Sequence, residues 1–229
     1  MADSESGNGN NCEIPGQRQY CRWRFDPFLK TSNPLLMMTS NRMTADEFVQ
    51  RRHELPDGGR WHELHDGIPV MMQAPDDGHG NTVLNLSRKL AVWFQNQTER
   101  RVGYACHELG LHVAKNPDTV YVPAICFFDS GQQFGQTDLA VATEVPRLVV
   151  DVASANDRRR EMRRRTLSYI ELGVETIWIP DPQKKEIQVL QRGAHTLALG
   201  QWQTLEGSHI LPGFEIAVKD VFAQPSWWR

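Results

Sequence analysis

The chain has 229 residues, enough for one domain with a sizeable core and with little room for a second. Its 40% hydrophobic and 23% charged content is that of an ordinary soluble globular protein. The formal charge of −3 excludes a uniformly basic nucleic-acid binder, but it leaves a local basic stripe open, because phosphate contacts depend on where charges sit. No apolar run approaches the ~20 residues needed to cross a bilayer. The acidic, polar start MADSESGNGN is the opposite of a secretory signal. The expected compartment is therefore the cytoplasm, with no membrane contact. Cys12, Cys21, Cys106 and Cys126 form no CxxC pair and read as reduced thiols, Cys106 and Cys126 lying in apolar runs.

Residues 1–40 read as a poorly ordered leader, since Gly, Asn and Ser open it and its apolar residues show no period. An internal start at Met38 or Met43 is compatible with that. The ordered domain spans 41–222, and 223–229 reads as a loose tail. In T-A-D-E, Thr44 and Glu47 have capping-box spacing, which predicts a helix from there to about Leu55, ended by Pro56-Asp57-Gly58-Gly59. Asp66-Gly67 between two apolar runs predicts a hairpin. Asp76–Gly80 reads as a loop, and Asn81–Gln97 as a helix from its apolar spacing. Short strands are expected at Val102–Cys106 and Gly110–Ala114. Val120–Phe128 and Leu148–Ala153 read as strands buried on both faces, with a Gly- and Gln-rich loop over Ser130–Thr137. Asn156 or Asp157 caps a helix ending near Gly173. Val174–Ile179 and Glu186–Gln191 follow as strands. The order predicts an α/β (mixed α+β) fold, a mixed sheet flanked by helices with an N-terminal helix and hairpin.

Seven collinear stretches carry a more specific likeness: MTADEF at 43–48, HELHDGIPVMM at 62–72, HGNTVLNLSRKL at 79–90, PDTVYVPAICFF at 117–128, PRLVVDVAS at 146–154, SYIELGVETIWIPDP at 168–182 and LPGFEIAVKDVF at 211–222. Together they resemble the Uma-type family of putative restriction endonucleases, within the PD-(D/E)XK nuclease superfamily. The resemblance implies a restriction-endonuclease-like core and metal-dependent hydrolysis of DNA phosphodiesters. Mg²⁺ or Mn²⁺ would be the cofactor if the chain is active, because hard divalent ions take carboxylate oxygens and activate water.

Carried over residue by residue, the likeness gives an altered site. Ala124 stands where the family has its metal-binding aspartate, and a methyl group cannot ligate. Asp151 matches the family's glutamate but reaches about 1.5 Å less; it is a tentative metal ligand, or else a partner in an ion pair with a nearby arginine. Glu63 matches an acidic residue before the Asp-Gly turn and is either an outer ligand or a solvent-facing residue at a strand edge. Arg165, four residues before Tyr169 and on the same helix face, occupies the place of the catalytic lysine. It can grip a phosphate but cannot act as a base, and without a metal it can pair with Asp151. Ser154 supports the acidic strand or serves as a turn or cap residue. His79 is a cap, a substrate-edge residue or a surface-loop histidine. A replacement ligand would have to come from Asp76, Asp77, Asp118 or Asp129; Asp129 lies ~16 Å along an extended strand from Ala124.

DRRREMRRRT concentrates Arg158, Arg159, Arg160, Arg163, Arg164 and Arg165 on about two helical turns. This is either a solvated flank or a phosphate-binding stripe, and mutual repulsion among the charges favours the second. DNA, contacted non-specifically along its backbone through Arg158, Arg159, Arg163, Arg164 and His79, is the expected partner; a homodimer stays open. The changes at Ala124, Asp151 and Arg165 favour weak or absent cleavage. The alternative is an inactive nucleic-acid-binding pseudo-nuclease or an interaction scaffold.

Overall fold

Thr44 opens the first helix as its spacing predicts: its hydroxyl accepts from the Glu47 amide while Glu47 accepts from the Thr44 amide. The computed structural model describes residues 42–97, 103–130, 139–154 and 156–225, without the side chains of 156 and 157. All of these fall in one compact unit, Thr39–Arg229. The leader, Cys12 and Cys21, all but Ser130 of the loop expected over Ser130–Thr137, and the final residues 226–229 lie outside the described residues, as does the capping of the arginine-rich helix.

Helix α1 (Ala45–Arg51) ends earlier than expected, and the chain continues through two short 3-10 turns, Arg52–Glu54 and Pro56–Gly59. The hairpin β1 (His62–His65) and β2 (Ile68–Met71) turns at Asp66 and Gly67, both with positive φ (49° and 78°), as a tight two-residue hairpin requires. Helix α2 (Asp77–Gln95) begins four residues before the expected start. Asp76 caps it by accepting from the His79 amide at 2.8 Å, so the Gly-rich stretch expected to be a loop is the first helical turn.

The long apolar run 120–128 is two strands rather than one. Strand β5 (Thr119–Tyr121) joins a five-stranded sheet in the order β2-β1-β5-β4-β7, where β4 is Gly110–Ala114 and β7 is Val141–Ala142. Strand β6 (Ile125–Phe128) joins a six-stranded sheet, with β3 (Tyr104–His107) at one edge, then β6, β8 (Leu148–Val150), β9 (Thr176–Asp181), β10 (Glu186–Gln191) and β11 (Leu197–Gly200). Val122-Pro123-Ala124 carries the chain from one sheet to the other, and Pro123 has no amide hydrogen with which to continue a ladder. Strands β8 and β9 are parallel, and α3 (Asn156–Leu172) makes the crossover between them. A small sheet of β12 (Thr204–Glu206) and β13 (Glu215–Ala217), followed by α4 (Val218–Val221), completes the order.

The sheets and helices bury two large apolar clusters, one containing Trp93, Phe127, Trp178 and Phe214, the other Tyr121, Phe128, Tyr169 and Ile177. Cys106 and Cys126 are register partners across β3 and β6, and both are buried. Among the described residues, no helix is long and apolar enough to cross a membrane.

Candidate functional site

The two sheets meet where β1, the β5–β6 passage and the end of β8 converge under α3. Glu63 comes from β1, Ala124 from the passage, Asp151 from the residue after β8, and Arg158 and Arg165 from α3. The local pattern explains the placement. Asp151 still donates its amide to the Trp178 carbonyl (3.0 Å), so it is held in line with the parallel ladder although its strand has ended. Arg158 and Arg165 are seven residues apart, two helical turns, and so share one face of α3. Tyr169 lies one turn further on.

The side chains form a buried ion network. The Arg165 guanidinium donates through Nε to Asp151 Oδ2 at 2.7 Å and through Nη1 to Glu63 Oε2 at 2.5 Å. Its Nη2 reaches the Tyr169 hydroxyl at 3.2 Å, and that hydroxyl donates to Asp151 Oδ2 at 2.7 Å. Arg158 adds a second cation, with Nη1 3.1 Å from Asp151 Oδ1 and 3.1 Å from the Val122 carbonyl. Glu63 Oε1 accepts from the Val122 amide at 2.8 Å, while its Oε2 lies 3.0 Å from His65 Nε2. The Arg165 carbon Cζ stands 4.4 Å from the centre of the Tyr121 ring. Glu63, Asp151, Arg165 and Tyr169 are all at most 1% exposed.

Two acids are thus matched by two arginines. Burial alone would raise both carboxyls, but Arg165 and then the other donors outweigh it and hold Glu63 and Asp151 below the usual carboxylate range. Burial likewise opposes the Arg165 charge, and Asp151 and Glu63 reverse that, pushing its pKa well above the ordinary value. Burial also raises Tyr169, which stays a neutral donor.

Above this network lies a cavity of about 70 Å³ whose walls include Arg52, Arg60, Trp61, Glu63, His79, Glu108, Val122, Ala124 and Arg158. Asp151 and Arg165 do not line it. The Ala124 methyl forms part of the wall and is 3% exposed.

A divalent cation of the kind the superfamily uses does not fit these residues. Every carboxylate oxygen of Glu63 and Asp151 already has a donor or a cation beside it. Arg165 bridges the two acids, and the Ala124 side chain supplies no oxygen. Among the described residues, no group of three or more His, Cys, Asp or Glu side chains could hold a metal ion.

The remaining expected residues are placed as follows. His79 is not a surface-loop residue: it is 6% exposed, in the first turn of α2, with Nδ1 3.0 Å from the Ser154 hydroxyl. That contact ties α2 to the segment after β8. Burial first, then Arg158, pushes the His79 imidazole down to about 4. Glu63 does not face solvent at a strand edge. Arg159 is bound by Asp181 and the Ala153 carbonyl. Arg164 donates to the Tyr121 hydroxyl at 2.8 Å, with its side chain 49% exposed. Arg160 and Arg163 are exposed. Asp76 is the α2 cap, Asp118 accepts from the Ala45 amide, and Asp129 pairs with Arg147, so all three are engaged elsewhere.

Sequence reasoning missed His65, Arg52, Arg60 and Trp61. His65 had a usable signal, since it lies two residues from Glu63 on one strand and therefore on the same face. Arg52 and Arg60 had none, because the irregular turns after α1 decide where they point.

A mixed sheet crossed by one parallel β-α-β unit, with acidic positions at the strand ends, defines a restriction-endonuclease-like fold. The chain belongs to the Uma2 family, described as "Putative restriction endonuclease", whose model matches residues 45–219. A crystal structure of a "putative nuclease belonging to DUF820" from Anabaena variabilis ATCC 29413 superposes with a TM-score of 0.62 at 17% identity, covering 79% of this chain and 97% of that one. This likeness supports the fold alone. No curated protein matches the chain.

Proposed function

We propose that the chain is a nucleic-acid-binding, non-cleaving member of the family, in which an internal ion network has replaced the metal centre. The observation that carries this reading is the Arg165 guanidinium lying between Glu63 and Asp151, 2.5 and 2.7 Å from their oxygens. A metal-activated water needs uncompensated carboxylates nearby, and here their charge is already neutralised. DNA, the family's expected substrate, becomes a ligand. It would be held by backbone contacts to the exposed arginines of α3, Arg160, Arg163 and Arg164, which carry no base-reading pattern.

The test pairs cleavage with association. Purified protein should leave supercoiled plasmid intact with Mg²⁺ or Mn²⁺, yet bind a labelled duplex in EDTA at low salt. Nicking gained by the triple variant Ala124→Asp, Asp151→Glu, Arg165→Lys supports a converted site. Metal-dependent nicking that copurifies with the unmodified folded protein overturns it. Absence of duplex association at low salt removes the nucleic-acid role and leaves an interaction scaffold.

A further inference from the structure

A cation site and an anion site require opposite surroundings, and the cavity at Ala124 has the second kind. Three arginines line it, Arg52, Arg60 and Arg158, of which Arg158 is already paired with Asp151. Two glutamates also line it, but Glu63 is committed to Arg165, His65 and the Val122 amide. Glu108 is exposed at the rim. Arg52 and Arg60 make no ion pair among the described residues. Arg52 donates through Nε to the Gly59 carbonyl at 2.9 Å, and its Cζ lies 5.9 Å from the Phe48 ring centre. Arg60 lies over Trp61 at 5.4 Å. A guanidinium has five N–H donors, so contacts of this kind leave most of them uncommitted.

The position of Arg52 is built in. Gly59 has a φ of +74°, and a Cβ there would stand 2.2 Å from the Arg52 Cγ, so this close approach needs glycine. Burial lowers the Arg52 pKa, with Glu108 and Glu63 only partly opposing it. A charge disfavoured by burial gains from an added anion. His79 completes the wall. Its Nδ1 is engaged by Ser154, and its other ring nitrogen has no partner among the described residues. The volume also fits: about 70 Å³ holds roughly five waters at ~15 Å³ each, close to the four oxygens of one phosphate. An aspartate at 124 would repel such a ligand, and alanine does not.

We propose that this cavity binds a phosphate group directly, without a divalent ion, with Arg52 and Arg60 as the primary donors and Arg158 and His79 lining the wall. The inference rests on the reading of the chain as a non-cleaving family member. It names the chemistry that reading leaves open: a phosphate monoester or free phosphate, gripped in the pocket walled by Ala124.

The experiment is calorimetric titration of the full chain in EDTA with inorganic phosphate, thymidine 5′-monophosphate, and a short single strand with either a 5′-phosphate or a 5′-hydroxyl. Binding should survive EDTA. Arg60→Ala and Ala124→Asp should each weaken it tenfold or more, while Lys219→Gln, a distant exposed change, leaves it unaltered. Tighter binding of the 5′-phosphorylated strand than of its 5′-hydroxyl twin assigns the phosphate to a nucleic-acid end; equal affinity for all phosphate ligands assigns it to free phosphate. No binding of any ligand in EDTA, or binding indifferent to Arg60→Ala and Ala124→Asp, overturns the proposal. The two readings fail separately. Phosphate binding together with plasmid nicking removes only the non-cleaving reading. Salt-sensitive duplex association without phosphate binding removes only this one.

Discussion

The arginines of α3 divide into two sets that the sequence does not separate. Arg158, Arg159 and Arg165 turn inward and end on Asp151, Asp181, Glu63 and backbone carbonyls. Arg160, Arg163 and Arg164 turn outward, and among the described residues only Arg164 has polar side-chain partners, the Tyr121 hydroxyl and Asp66. Six like charges within two turns look like one feature, yet depth gives them two jobs. The inner set neutralises buried acids, where an unpaired carboxylate would be costly. The outer set stays hydrated and is available to a polyanion. The density of a charge run therefore says little until the helix's inner face is known.

The largest expected effect breaks the inner set. Arg165→Met leaves Glu63 and Asp151 buried with one cation between them, and should cost about 3–5 kcal/mol in urea unfolding. Arg163→Ala, two residues away on the outer face, should stay within about 0.5 kcal/mol. Equal costs for the two would erase the distinction. Arg165→Lys should recover only part of the loss, because an ammonium cannot reproduce the fork that reaches both acids.

A smaller effect comes from acid. His79 is held at about 4 in the folded chain, against an ordinary value of 6.5. Between those values the unfolded chain takes a proton that the folded chain refuses. Stability therefore falls as pH drops from about 6.5 to about 4 and levels off below, a loss on the order of 3 kcal/mol. Glu63 and Asp151 act in the same direction but at lower pH. Their depressed values contribute stability that is present above the ordinary carboxylate range and is lost progressively as pH falls from there through the folded values. Acid unfolding should thus come in two stages. His79→Gln should remove the first and keep the second, read as urea midpoints at pH 7, 5 and 3.

Much of this was legible beforehand, for particular reasons. The capping box at Thr44, the Asp66-Gly67 hairpin and the strands Gly110–Ala114 and Glu186–Gln191 are local signals, and local structure obeys them. The run 120–128 was misread as one strand because hydrophobicity does not say which sheet a residue joins; the proline that ends one ladder also begins the passage to the next. The first turn of α2 reads as a loop in the sequence, and the structure shows that Asp76 caps it despite the two glycines in DGHGN. At the site, the resemblance pointed to position 124, and an ion pair between Arg165 and Asp151 was one of the alternatives that the two charges left open. The walls of the cavity could not be read, since Arg52 and Arg60 reach it from 3-10 turns whose direction no periodicity encodes.

The smallest effect on stability should be the most telling for the outer set. Arg160→Gln combined with Arg163→Gln removes two exposed charges that make no ion pair among the described residues, and should move the unfolding midpoint by less than about 0.5 kcal/mol. Duplex association should respond differently. Each neutralised phosphate contributes about 0.9 to the slope of log K against log salt, so losing both arginines should flatten that slope by roughly 1.8 if both meet phosphates. Arg159→Gln provides the contrast, because its guanidinium is already taken by Asp181 and the Ala153 carbonyl: it should lower stability while leaving the salt slope nearly unchanged. A slope that shifts as much for Arg159→Gln as for the outer pair would mean that DNA draws the inner arginines out of their ion pairs. The helix would then be one basic surface after all, with its intramolecular partners acting as placeholders for phosphate.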